Sequence, residues 1–98
     1  MADIYEIEDQ IIKGNDAQHL LDNPILKEAF EIIESHLEDR ALSTKTTDIK
    51  ECQDVIRAMQ ILTGVKKAIY SFVEEGKFKQ AELNAITKEK TSLFNRGY

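Results

Sequence analysis

The chain has 98 residues and a formal net charge of -5, with 42% hydrophobic and 32% charged residues. This length favours a single domain, and the balance of apolar and charged residues excludes both a disordered chain and a membrane-embedded one. With 4 glycines and 1 proline, the chain has too few turn-forming residues for an all-β fold, so the composition predicts an all-α protein.

The N-terminal arm, residues 1–22, is predicted to contain one short helix. Its isoleucines recur at helical spacing on one face: Ile4, Ile7 and Ile11. Asp3 and Glu6 have capping-box spacing, and Gly14 stands where a C-terminal cap is expected, so the predicted helix spans residues 3–13. A helix this short is marginal in isolation, so its isoleucines must pack on this chain or on another copy.

The first long helix is predicted to begin at the only proline of the chain. Asn23 is a preferred N-cap residue, and Pro24 is tolerated at the first helical position because its missing N–H has no partner there. Apolar residues then recur at steps of three or four to about residue 42: Leu26, Phe30, Ile33 and Leu37, with Ile25, Ala29 and Ile32 on one flank.

The second long helix is predicted to span residues 48–75, with Gly76 as its C-terminal cap. Its N-cap is one of three neighbouring residues, Thr46, Thr47 and Asp48. Its apolar line steps by three or four: Cys52, Val55, Met59, Leu62, Val65, Ile69 and Phe72. A short polar connector, residues 43–47, between two amphipathic helices predicts an antiparallel hairpin over residues 23–76.

The tail, residues 77–98, is predicted to be weakly helical to about residue 90. The second helix outruns the first, so we expect a homo-oligomer that covers the unmatched length. The predicted interface combines the isoleucines of the arm with two apolar residues of the tail: Ile4, Ile7, Ile11, Leu93 and Phe94.

Residues suited to catalysis or metal binding do not cluster in the sequence. Cys52 lies on the apolar line of the second long helix and is interpreted as a small buried hydrophobe. His36 has one acidic residue a turn ahead, Asp39, beside the cation Arg40, whereas a metal needs several converging ligands. A glycine-rich phosphate loop is absent from the sequence. We therefore expect no enzyme, no metal and no cofactor.

A small basic and aromatic group is the candidate ligand site. Lys66 and Lys67 precede Tyr70 by about one turn, and such lysines can hold a phosphate group. Tyr5 would join them by stacking on a ligand if the arm lay over a neighbouring subunit. A solvated helix face is the alternative, because the chain as a whole is acidic.

Two segments carry a resemblance to a known group of proteins. LLDNPILKEAFEIIE and DVIRAMQILTGVKKAIYSFVEEGK resemble small uncharacterised helical-hairpin proteins of tailed bacteriophages, over about residues 20–77. The shared features are the Asn-Pro helix start, the amphipathic helix with Phe, and the second helix that ends near Glu-x-Gly-Lys. The resemblance implies a phage origin and a location in the host bacterial cytoplasm or in the virion.

Location and function follow as expectations. The acidic start MADIYEIEDQ lacks the pattern of a secretory signal, and no apolar run approaches the length of a membrane span. We expect a non-enzymatic phage structural or protein-interaction module that acts as a homo-oligomer with a host or phage protein as partner. The alternative is an anti-defence protein that sequesters a nucleotide signal, or blocks a host defence protein, at subunit interfaces.

Overall fold

In a computed structural model, which describes residues 3–95 and the side chains of residues 3–89, the chain forms three α-helices. These are α1 (Ile4–Asp22), α2 (Pro24–Ser43) and α3 (Ile49–Asn95), and the described residues include no β-strand. The predicted all-α class is therefore confirmed.

The chain divides into two compact units. Unit 1 combines Met1–Gln18 with Tyr70–Tyr98, and unit 2 is His19–Ile69. Helices α1 and α3 each run from one unit into the other, so the unit boundaries differ from the predicted junctions of arm, hairpin and tail. The prediction of a single domain remains a prediction.

The predicted start of the first long helix is confirmed at Asn23. Its backbone is extended, with φ -68° and ψ 121°, and its Oδ1 accepts hydrogen bonds from the backbone N–H groups of Ile25 and Leu26 at 2.9 and 3.2 Å. Pro24 is the first residue of α2. The cap satisfies two N–H groups that have no partner within the helix, which separates α2 from α1.

Asp48 is the N-cap of α3 among the three predicted alternatives. Its Oδ1 accepts a hydrogen bond from the backbone N–H of Glu51 at 3.1 Å, and its carbonyl accepts one from the N–H of Cys52 at 3.0 Å. On the other side of the connector, the Thr44 hydroxyl donates to the carbonyl of Arg40 at 2.6 Å. The side chains of Thr44 and Asp48 thus satisfy backbone groups at the end of α2 and at the start of α3.

The predicted C-terminal caps at Gly14 and Gly76 are wrong, because both glycines lie inside helices. A Cβ atom built on Gly14 would stand 2.8 Å from the Cα of Gly76 and 2.9 Å from the carbonyl oxygen of Phe72. The two glycines are therefore used for a close crossing of α1 and α3 within unit 1. Helix α1 therefore does not end at Gly14 and continues beyond the predicted residue 13 to Asp22.

The predicted apolar line of α3 is correct at Cys52, Val55, Met59, Leu62 and Ile69 and wrong at Val65 and Phe72. Val65 and Phe72 are 46% and 52% exposed, whereas Lys66 is half-buried and Val73 is 3% exposed. The less exposed line continues at alternating steps of three and four, which keeps it on one side of a helix that packs on neighbours along its length. Apolar side chains beside that line, such as Val65 and Phe72, are therefore exposed to solvent.

Helix α3 also extends past the predicted end at residue 75 through most of the tail. Local side-chain pairs support this part of the helix. Lys79 Nζ lies 3.2 Å from the Glu82 carboxylate, and Gln80 donates a hydrogen bond to Asn84 at 3.0 Å. Pairs three or four residues apart stabilise a helix without a strong apolar pattern, which explains why periodicity alone underestimated its length.

Few apolar side chains are deeply buried. Among the described residues these are Ile7, Ala17 and Val73 in unit 1 and Val55 in unit 2. Helix α2 contains no buried residue. The residues at its inner positions, such as Leu26, Phe30 and Leu37, are only half-buried.

Candidate functional site

Side chains of α2 and α3 contact each other in unit 2 and surround a groove. Near the connector, Arg40 Nε donates a hydrogen bond to Glu51 Oε1 at 2.5 Å. Farther from the connector, the Lys66 ammonium forms an ion pair with Glu34 and lies 5.3 Å from the centre of the Phe30 ring. Lys66 therefore combines an ion pair with a cation–π contact.

A groove of about 260 Å³ lies between these two helices. It is lined by residues of both: Glu34, Leu37, Glu38, Met59, Leu62, Thr63 and Lys66. The floor is apolar and the rim carries two carboxylates and one ammonium group that already pairs with Glu34. An anionic ligand would therefore have to displace a carboxylate from Lys66, so the groove is poorly suited to a phosphate group.

Arg40 and Glu51 have pKa values that differ from their ordinary ones. The pKa of Glu51 lies below its ordinary value, mainly because its carboxylate accepts the hydrogen bond from Arg40. The pKa of Arg40 is raised, first by that hydrogen bond and then by the charge of Glu51, with a smaller contribution from Asp54. Both side chains are solvent-accessible, so this ion pair marks a local contact rather than a reactive centre.

The residues of the predicted ligand site occupy different environments. Of the four, Lys66 lines the groove, while Lys67 is exposed on α3. Tyr70 is 55% exposed and Tyr5 is 75% exposed, both in unit 1. Nucleotide sequestration by these four residues stays a prediction from the sequence.

The residues of the predicted oligomer interface also differ in their accessibility. Ile7 is 1% exposed, so its side chain is already covered within the chain. Ile11 is half-buried and lines a small groove beside Gly14, whereas Ile4 is 42% exposed. The side chains of Leu93 and Phe94 lie outside the described residues. The exposed isoleucines of the arm are therefore Ile4 and Ile12, at 42% and 57%, rather than the predicted Ile7 and Ile11.

Exposed apolar side chains also lie on the long helices of unit 2. The large ones on α2 are Ile25, Ile32, Ile33 and Leu42, and those on α3 within this unit are Ile49, Ile56, Ile61 and Val65. The helical spacing predicts Ile25 and Ile32 only as flanking residues of an inner line. A second apolar line on the same helix was the signal that would have identified them.

Other site types find no support in the described part of the chain. Residues 3–89 contain no group of three or more His, Cys, Asp and Glu side chains placed to hold a metal ion. Within the described helices, none combines the length and the apolar character that crossing a membrane requires. Comparisons with protein-family models, with curated proteins and with solved structures found no match to this chain.

Proposed function

We propose that this chain is a non-enzymatic protein-interaction module that acts as a homo-oligomer, encoded by a phage as its sequence resemblance implies. The observation that carries the proposal is the small core of unit 2. This unit spans His19–Ile69, yet Val55 is its only apolar side chain that is buried. A unit with one deeply buried apolar side chain gains little stability from its own core, so association that covers its half-buried and exposed apolar side chains would stabilise it.

We further propose that α2 and α3 pack as an antiparallel hairpin within unit 2. The contacts that support this follow an antiparallel order. Arg40 of α2 pairs with Glu51 of α3, while the earlier residues Phe30 and Glu34 meet the later residue Lys66. The connector of a few residues between the helices also favours neighbouring antiparallel helices.

A two-helix unit of this kind requires additional cover. Exposure of its isoleucines and valine to water is unfavourable in a single chain. Association would remove these side chains from solvent. A module whose stability depends on association is suited to a structural or adaptor role, because it is then fully folded only when it is assembled.

The experiment is a mass measurement of the purified full chain. Light scattering coupled to size-exclusion chromatography at micromolar concentration should return a multiple of the chain mass of 11.2 kDa. A mass equal to one chain across that concentration range would contradict the proposal. Circular dichroism on the same sample provides the control that the chain is folded and helical.

A further inference from the structure

Helix α3 carries two adjacent lines of residues in unit 2. The first faces α2 and comprises Cys52, Val55, Met59, Leu62, Lys66 and Ile69, which are half-buried or buried. The second lies one residue earlier at each step and comprises Glu51, Asp54, Ala58, Ile61, Val65 and Ala68. Both lines alternate steps of three and four, the spacing with which a helix packs on a neighbouring helix. A helix of an isolated hairpin needs one such line, whereas two adjacent lines are typical of a helix that contacts two neighbours.

Helix α2 carries a matching outer line. Its members also follow one another at steps of three or four: Ile25, Ala29, Ile32, His36 and Arg40. Ile33 stands beside them, seven residues before Arg40 and therefore on nearly the same side of the helix. The first half of this line is apolar and the second half is polar.

The Arg40–Glu51 ion pair joins the two outer lines. Arg40 is the last member of the line on α2, and Glu51 is the first member of the line on α3. Because their side chains are in direct contact, the two lines lie on the same side of unit 2. Together their apolar members form one surface, here called the outer face: Ile25, Ala29, Ile32, Ile33, Ala58, Ile61, Val65 and Ala68.

The outer face is accessible. Its large side chains are exposed by 45% or more: Ile25 77%, Ile32 50%, Ile33 45%, Ile61 63% and Val65 46%. Its alanines keep the surface low between these branched side chains, so that another helix can approach closely. A group of exposed apolar side chains on the same side of two helices is a common mark of an interaction site.

The charges at the outer face are balanced, which allows a second copy of this acidic chain to approach it. At the polar end of the outer face, the cations Arg40 and Lys50 act on Glu51, and Asp54 acts on Arg40, so two positive and two negative groups offset one another. The glutamates of α2 project from other sides of the helix: Glu28, Glu31, Glu34 and Glu38. A second copy of this acidic chain is therefore not repelled at the outer face, whereas contact through the glutamate side of α2 would set like charges together.

We infer that the outer face is where a second copy of this chain docks, packing its own outer face on this one to give a layer of four helices. This inference rests on the proposed function and specifies its partner and its surface. A self-complementary contact supplies the same apolar residues from both sides, as expected for a two-fold interface. Such a contact also places a neighbouring helix against the outer line of α2 and against the second line of α3, as their spacing requires.

The test compares two isoleucines of α3 that lie on different sides. Ile61→Asp places a carboxylate within the outer face, while Ile56→Asp places one at a position of similar exposure, 55%, outside it. In light scattering we expect Ile61→Asp to reduce the mass to that of one chain and Ile56→Asp to retain the mass of the unmodified oligomer. If Ile61→Asp retains the oligomer, the assignment of the outer face is overturned.

A second measurement does not depend on disrupting the assembly. In a Cys52→Ser background, the single thiol introduced by Ile61→Cys or by Ile56→Cys is titrated with a maleimide reagent at low and high chain concentration. We expect the thiol at position 61 to become protected as concentration rises and the thiol at position 56 to stay reactive. Protection at position 61 in a sample whose measured mass is that of one chain would mean that the chain covers its own outer face, and would overturn docking of a second copy.

The two proposals fail in distinguishable ways. A monomeric unmodified chain overturns both the proposed homo-oligomer and the outer-face interface. An oligomer that survives Ile61→Asp but is lost in Ile4→Asp overturns the outer face alone, and assigns the interface to the N-terminal isoleucines. An oligomer lost in Ile56→Asp but not in Ile61→Asp likewise leaves self-association intact and moves the contact to another side of α3.

Discussion

Gly14 and Gly76 allow the backbones of α1 and α3 to meet without side chains between them. The atoms that a Cβ on Gly14 would meet belong to the backbone of α3, which cannot move aside as a flexible side chain does. Gly64 lies in the same helix as Gly76, but a Cβ built on it would meet no other part of the described chain within 4 Å beyond its own neighbouring helix backbone. The three glycines thus separate the effect of helix propensity from the effect of a close helix crossing.

Gly14→Ala is expected to lower the free energy of unfolding by about 1–3 kcal/mol, because the added methyl group forces the helices apart. Gly64→Ala is the matched control and should raise it by up to about 1 kcal/mol, since alanine is the better helix former and the site is open. Urea denaturation at one fixed chain concentration measures both. Equal stabilisation by the two substitutions would contradict the close crossing.

The Arg40–Glu51 ion pair predicts a pH dependence. The pKa of Glu51 is lower in the folded chain than its ordinary value of 4.5, so its contribution is fully present above that value and is lost as pH falls through the folded pKa. The difference in unfolding free energy between the unmodified chain and Glu51→Gln should therefore be larger at neutral pH than in acid.

Denaturation of both proteins between neutral pH and about pH 3 checks this expectation, with Glu28→Gln as an exposed control on α2. High salt should also narrow the difference for Glu51→Gln, because the pair is solvent-accessible and screened. A difference that is constant with pH would show that Glu51 gains nothing from Arg40.

At the scale of the helices, ends are decided by local hydrogen bonds. Asn23 and Asp48 each lie immediately before a helix and accept backbone N–H bonds from its first turn. Such caps act over two or three residues, so they can be read from sequence. Helix length is different, because α1 and α3 continue through glycines whose role depends on another helix.

Asn23→Ala is expected to destabilise the chain by about 1 kcal/mol, because two N–H groups at the start of α2 lose their acceptor. Asn23→Ser retains a hydroxyl acceptor and should restore most of that loss. Thermal unfolding followed by circular dichroism at fixed concentration measures both variants. If Asn23→Ala and Asn23→Ser are equally unstable, the cap does not stabilise this junction.

At the scale of the whole molecule, stability should depend on chain concentration. An associating chain is stabilised by mass action, so the midpoint of thermal unfolding should rise as concentration increases from low to high micromolar. Ile61→Asp, which places a charge on the outer face, should remove this dependence, whereas Ile56→Asp should keep it. A midpoint that does not change with concentration in the unmodified chain would indicate a self-sufficient monomer.

The sequence by itself determined the all-α class and the start of α2, and it limited the start of α3 to three neighbouring residues, because composition and capping act without reference to distant residues. It also contained the outer line of α2 in the flanking residues Ile25, Ala29 and Ile32, although periodicity alone could not tell an inner from an outer line. Only the tertiary structure decided that Gly14 and Gly76 serve a crossing, and that Lys66 rather than Val65 faces α2. The physical reason is that a glycine, or an apolar side chain, acquires its role from the helix it meets, and that helix is distant in sequence.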